Sequence, residues 1–247
     1  MLQLPEAIRN FRRDVRVYGA RWWLKFAIRF QIVAPVFKVI LRPGGATPLI
    51  RLGTFYGGWW VPEAALRPGA VAYCAGAGDD ISFDLALHER GMRVVTLDPT
   101  PRAIAHAESV APTSDRFVLV PVGLWNEAAE LRFFNPRNMR DVNYSVVNLQ
   151  DTDDYFIGQV KTLREVMNDL GDIAIDLLKV DIEGAEHHVI QSFLEDGIRP
   201  EVVCIEFDQP SPLRAVLRSV RRLQDCGYTL VHIEMWNYTF IHKPASM

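Results

Sequence analysis

From Val71 onward, short apolar runs alternate with amphipathic stretches of helical period. Val71-Ala72-Tyr73-Cys74-Ala75 predicts a first strand, residues 81–90 a helix and residues 93–98 a second strand. Thr100 and Pro101 then supply a cap and a start for a helix with Ile104, Ala107 and Val110 inside, and residues 117–122 predict a third strand. Residues 131–134 read as an added strand. The polar, Asn- and Asp-rich residues 135–158 read as a long loop of the kind that forms a lid or a binding loop. Thr162-Leu163-Arg164-Glu165 is a capping box for a helix that buries Leu163, Val166, Met167 and Leu170 and stops at Gly171.

Residues 173–181 predict a fourth strand, almost wholly apolar, as in a parallel sheet covered on both faces. A helix over residues 184–196 ends at Gly197, and residues 201–207 predict a fifth strand. Ser211-Pro212 opens a helix with Leu213, Val216, Leu217, Val220 and Leu223 inside. Residues 228–235 and 237–242 are two strands joined by a short turn, hence antiparallel. The fold class is α/β, a mostly parallel seven-stranded sheet with an antiparallel final strand and helices on both faces.

Ahead of this pattern, residues 5–41 predict a basic helix, with Arg21, Lys25 and Arg29 on one face and Trp22, Trp23, Phe26, Phe30 and Val33 around it. Charge and Pro35 interrupt it too often for a bilayer crossing. It can pack on the main domain, form a homodimer contact or lie on an anionic membrane surface. Arg42-Pro43-Gly44-Gly45 ends it, which predicts an N-terminal extension over residues 1–45 and a main domain over residues 46–247. Residues 1–51 carry ten Lys and Arg against Glu6 and Asp14, a balance of +8; the chain's net charge of −3 leaves −11 for the rest. An acidic ligand-facing part argues against a nucleic-acid partner.

The first strand runs into Gly76-Ala77-Gly78-Asp79-Asp80, and the second closes on Asp98, twenty residues after Gly78. Glycines permit a tight turn and close approach of backbone to ligand, and an acid closing the second strand accepts hydrogen bonds from ribose hydroxyls. A dinucleotide fingerprint would carry a third small residue at position 81, where Ile81 stands, and Asp79 and Asp80 would repel a pyrophosphate. They do not repel S-adenosylmethionine (SAM), which carries positive charge and no phosphate. The plainer reading is that either aspartate caps the following helix, which leaves Gly76, Gly78 and Asp98 unexplained.

Together with Gly53-Thr54-Phe55-Tyr56-Gly57-Gly58-Trp59-Trp60-Val61-Pro62, Asp98-Pro99-Thr100-Pro101, Gly123-Leu124-Trp125 and Leu178-Lys179-Val180-Asp181-Ile182-Glu183-Gly184-Ala185-Glu186, this turn resembles the FkbM family of SAM-dependent methyltransferases over roughly residues 50–210. The resemblance implies a Rossmann-like class I methyltransferase fold. It also implies methyl transfer to a hydroxyl oxygen, with a sugar of a glycan or glycosylated natural product as acceptor. Cys74 departs from the acid that many class I enzymes carry there.

Ligands of such sheets bind at the carboxyl ends of the parallel strands. By that rule and the resemblance, Gly76, Ala77 and Gly78 lie against SAM, Asp98 holds its ribose, and Pro99, Val122 and Gly123 lie near the adenine. Ser82 is a further cofactor candidate, or else serves its own backbone. Tyr56, Gly57, Gly58 and Trp59 form a flap over the cofactor, or else pack beneath the N-terminal segment. Asp181, Glu183 and Glu206 are the catalytic candidates, with Glu186 and Asp208 nearby and His187 and His188 as weaker bases. Such carboxylates act as a general base or hold a divalent ion, which stays open, as does their role at helix N-termini. An alternative class is a SAM-fold module without turnover, recruited by its basic N-terminus; intact Gly76, Gly78, Asp98 and Asp181 count against it. Cys74, Cys204 and Cys226 show no metal spacing or paired framework, and the first residues lack a secretory pattern. A cytoplasmic protein, possible also as a peripheral one on the inner membrane face, is expected.

Overall fold

The computed structural model describes residues 24, 28–45, 47–135, 144, 146, 152–207 and 213–242. Within the extension, a π-helical turn, Arg29–Val33, runs into α1 (Ala34–Leu41). Pro35 lies in the first turn of α1. Its ring crowds the carbonyl four residues back and it donates no hydrogen bond, which widens the preceding turn. Ala34 and Phe37 face the main core, and the Phe37 ring lies 5.6 Å from that of Trp236.

A hairpin of β1 (Leu49–Leu52) and β2 (Trp59–Pro62) comes next. The alternating part follows: β3 (Val71–Ala75), α2 (Ser82–Glu89), β4 (Arg93–Leu97), α3 (Pro101–Val110) and β5 (Phe117–Val120). β6 (Gly123–Leu124), β7 (Ala129–Phe134) and β8 (Tyr155–Lys161) make a separate three-stranded sheet, ordered β6-β8-β7. The chain closes with α4 (Leu163–Leu170), β9 (Leu177–Val180), α5 (Glu186–Glu195), β10 (Val202–Glu206), α6 (Leu213–Asp225), β11 (Tyr228–Glu234) and β12 (Asn237–His242).

The main sheet has seven strands in the order β11-β12-β10-β9-β3-β4-β5, with β12 antiparallel to both neighbours and the other strands parallel. From β3 the chain builds outward through β4 and β5, then returns to start β9 on the opposite side of β3. This reversal opens a cleft at the carboxyl ends of β3 and β9. Alternate residues of each strand enter two cores: Tyr73, Val95, Leu178 and Val203 face one, and Ala72, Val94, Leu177 and Val202 the other.

Three predicted boundaries shift for physical reasons. The third strand stops at Val120, because Pro121 has no N–H for the ladder and the Val122 amide turns back to the Val120 carbonyl. The following residues leave the main sheet as β6. The fourth strand begins at Leu177, not 173, since Asp172 accepts from Tyr73 and Arg93, which holds it to the side chains of β3 and β4; Asp176, whose carboxylate accepts from the Val71 amide, already bonds Val71 and Val202 through its main chain. Part of the long polar segment is strand β8, whose Gly158 sits beneath the Phe133 ring. The remainder of that segment lies mostly outside the described residues, as do Trp22, Trp23, Asp208 and Ser211-Pro212.

Candidate active site

At the end of β3 the chain turns through Gly76 (φ +90°) and Gly78 (φ +53°). A Cβ built on Gly76 would stand 1.7 Å from the Asp181 carbonyl oxygen, so only glycine lets β3 and β9 diverge this closely. Asp98, just past β4 and buried, fixes the turn: its Oδ2 accepts from the amides of Ala77 (2.8 Å) and Gly78 (3.3 Å), and its Oδ1 from the amide of Thr100 (2.8 Å). A carboxylate offers about four lone-pair sites. Among the described residues three are engaged, and Oδ1, with one such bond, suits a ribose hydroxyl.

Sequence reasoning passed over the charged residue inside the apolar fourth strand. Lys179 is buried, and its ammonium donates to the Gly76 carbonyl and pairs with Asp181 Oδ2 at 3.2 Å. In register it belongs to a row crossing the sheet: Thr96, Cys74, Lys179, Cys204 and Thr239. Asp84 of α2 lies over this row, buried, and accepts from Thr96 Oγ1 at 2.6 Å. Burial pushes the Asp84 carboxyl up to about 6, against the opposing pull of Lys179 and Thr96. Burial alone would favour neutral Lys179, but the charges of Asp181 and Asp84 outweigh it and hold the ammonium protonated. A lone cation within a strand of Leu and Val was the available signal.

Asp181 begins the segment after β9, its amide bonded to the Ala75 carbonyl. Burial would raise its pKa, yet the charge of Lys179 and hydrogen bonds with Glu206 and Lys179 hold it below the ordinary carboxylate value. Glu206, at the end of β10, is thus the partner of Asp181 at the neighbouring strand end.

Asp80 organises the flap. Its carboxylate accepts from Thr54 Oγ1, the Gly57 amide (3.2 Å) and the Ser82 amide (2.9 Å), while Ser82 Oγ accepts from the Thr54 amide at 2.8 Å. Burial opposes ionisation of Asp80, but these bonds prevail and lower its pKa. Ser82 therefore tethers the 53–58 loop to α2, a role distinct from cofactor contact or service to its own backbone. A Cβ on Gly58 would meet the Thr54 carbonyl oxygen at 2.4 Å, which accounts for one of the paired glycines. Trp59 is core, buried with Ile81 and Phe83, and does not cover the cleft. Tyr56 is 74% exposed at the loop tip. Crowding and then the charges of Asp79, Asp181, Glu183 and Glu206 raise its hydroxyl pKa.

The other candidates separate. Pro99 and Gly123 are in contact, and Val122 packs against the main core. Glu183 adopts a left-handed φ of +57°, rare outside glycine, at the turn from β9 into α5. Glu186 is buried and accepts from the Gly184 amide at 2.8 Å, which makes it a turn-holding residue. His187 stacks on Phe207 and bonds Ser219 through Nδ1, and burial, then the charges of His188, Arg218 and Arg29, lowers its pKa to about 4. His188 points away, 4.7 Å from the Trp125 ring, on a surface cavity of about 490 Å³ that also touches Arg164 and Glu195. Among the described residues no three His, Cys, Asp or Glu side chains converge as a metal site.

Residues 71–230 match the sequence profile of the methyltransferase FkbM domain. The chain belongs to this family. Among solved structures similar to it are a precorrin-6y C5,15-methyltransferase from Geobacter metallireducens (13% identity, 72% of this chain and 84% of that one, TM-score 0.42), the METTL16 methyltransferase domain (12%, 87% and 79%, 0.45) and Aeropyrum pernix fibrillarin with natively bound SAM (12%, 81% and 85%, 0.42). No curated protein sequence matches. The FkbM domain is a SAM-dependent methyltransferase of Rossmann-like fold. Its cofactor fits the residues present: a turn open to close backbone approach, an acid closing β4 for the ribose, and the low-pKa Asp181 carboxylate for its positive charge.

Proposed function

We propose that this FkbM-family chain methylates a hydroxyl oxygen, with a sugar of a glycan or glycosylated natural product as acceptor. The observation that carries the reading is Asp181, beside Gly76 and paired with Lys179 at 3.2 Å, with Glu206 as its hydrogen-bond partner. Bound SAM supplies an electrophilic methyl group on a sulfonium.

The chain's own part is to hold the acceptor oxygen in line with that carbon and to take its proton. As the oxygen–carbon bond forms and the carbon–sulfur pair leaves with sulfur, positive charge builds on the acceptor oxygen and its proton becomes acidic. A carboxylate of low pKa is then basic enough to receive it. Asp181, backed by Lys179 and Glu206, is the group to receive it, and Glu183, on its left-handed turn, adds negative potential nearby. Tyr56, exposed at the loop tip, is suited to contact the acceptor. A divalent ion held by these carboxylates is a second version of the same reading, since hard cations prefer oxygen ligands.

Labelled SAM offered with a panel of sugar and polyketide acceptors tests the proposal; label entering only nitrogen or carbon acceptors would refute it. Asp181→Asn is expected to keep SAM affinity within a fewfold and lower turnover about 10²-fold or more. Loss of activity in EDTA, restored by Mg²⁺ or Mn²⁺, would select the metal version.

A further inference from the structure

We propose that the outer face of α1 and of the turn before it docks on an anionic lipid surface. One side of this segment packs inward through Val33, Ala34, Phe37 and Leu41. The opposite side is apolar and open along its whole length: Leu24, Ile28, Ile32 (59% exposed), Val36, Val39 (72%) and Ile40 (60%). Six large apolar side chains recurring at three- or four-residue spacing form a stripe, not scattered exposure.

Charge decides the occupant. Between Asp14 and Glu63 the sequence contains no acidic residue and seven Lys and Arg, in a chain whose net charge is −3. Lys38 and Arg42 are exposed beside the stripe. A second copy meeting this face across a two-fold axis would set cations against cations, whereas anionic headgroups attract them at the depth where the apolar stripe enters the acyl boundary. No described helix is long and apolar enough to cross a membrane, and the arrangement is that of a helix lying in the interface. Arg29, at the start of the stripe, donates to the carbonyl of Phe207 and sits 4.0 Å over the Trp236 ring. Phe207 follows Glu206 directly, so docking would set the strand-end cleft beside the headgroups.

Flotation of the full chain with phosphatidylcholine vesicles, with and without about one-third phosphatidylglycerol, tests this. The expected result is binding at least about tenfold tighter to the anionic vesicles, weakened in about 0.5 M salt, where screening shortens the reach of the cations. Ile32→Glu with Val39→Glu should abolish flotation with SAM affinity and helical content unchanged. Lys38→Glu alone should weaken it about fivefold, and this variant decides the matter if the double one misfolds. Equal binding to both vesicle types, no flotation, or variants that float like the wild type would overturn the proposal. So would a lipid-free dimer dissociated by the double variant, which would assign the face to a second copy.

Discussion

Gly76 and Asp181 meet backbone to backbone, with the Asp181 carbonyl oxygen occupying the place where a side chain at 76 would begin. The clash is with main chain on a central strand, and φ is +90°, so neither neighbour can yield cheaply. Gly76→Ala is expected to lose SAM binding altogether and to lower the melting temperature by several degrees. Calorimetric titration together with thermal unfolding checks this, and a variant that binds normally would mean that the two strands part more easily than the geometry allows.

Asp98 serves the cofactor and the turn at once. Asp98→Ala removes the ribose acceptor and releases the amides of Ala77, Gly78 and Thr100. Charge-assisted hydrogen bonds of this kind contribute about 1.5–3 kcal/mol, so SAM affinity should fall about ten- to a hundredfold, with a concurrent loss of stability. Asp98→Asn, which keeps one acceptor oxygen, should fall between the two in both measurements.

Lys179 compensates two acids at once. Lys179→Met would leave Asp84 and Asp181 without their shared cation, and removal of one partner from a buried pair costs about 3–5 kcal/mol. Adding Asp84→Asn should recover part of that in denaturant unfolding. The acid limb of the pH–rate profile should also move up in Lys179→Met, because the charge that holds Asp181 low is gone. An unmoved limb would remove Lys179 from the proposed chemistry.

Two groups, the buried Asp84 and the partly buried His187, titrate against one another. Asp84 rises from 3.8 to about 6 on folding, so over that interval the folded chain binds the proton more tightly and stability falls as pH rises. His187 falls from 6.5 to about 4, so the unfolded chain binds its proton more tightly and stability is lost as pH falls through the same range. Relative to the wild type, His187→Gln should make urea stability decline from about pH 4 to 6, and Asp84→Asn should make it climb. Parallel midpoint series for the three proteins would show it; identical slopes would contradict both assignments.

Much of this was legible before any coordinates. Period, caps and glycines located the main strands and helices, because each of those signals is local: the Thr162–Glu165 capping box closes in the structure as its four residues require. Short β1 and β2 had no such period, and β5 ended early at Pro121 because ladder and turn compete there. The site was legible where a residue type is unusual in its place, as with Gly76 or Asp98. It was hidden where one residue serves another across the fold: Asp84 with Lys179, Asp80 with the flap, Ser82 with Thr54. Spacing along a chain carries no information about such pairings, which depend on how α2 lies over the sheet.

The placement of β12 governs the order in which this sheet can be completed. β11 is held to the sheet by β12 alone, yet β12 is made after it and must enter between β11 and β10. Until residues 237–242 have been synthesised, the exposed edge of β10 ends at Glu206 with no neighbour on that side, and Phe207 lacks the Trp236 carbonyl that its amide binds. Among the described strands, β12 is thus the last in the chain and the one that completes the sheet beside Glu206 and Phe207.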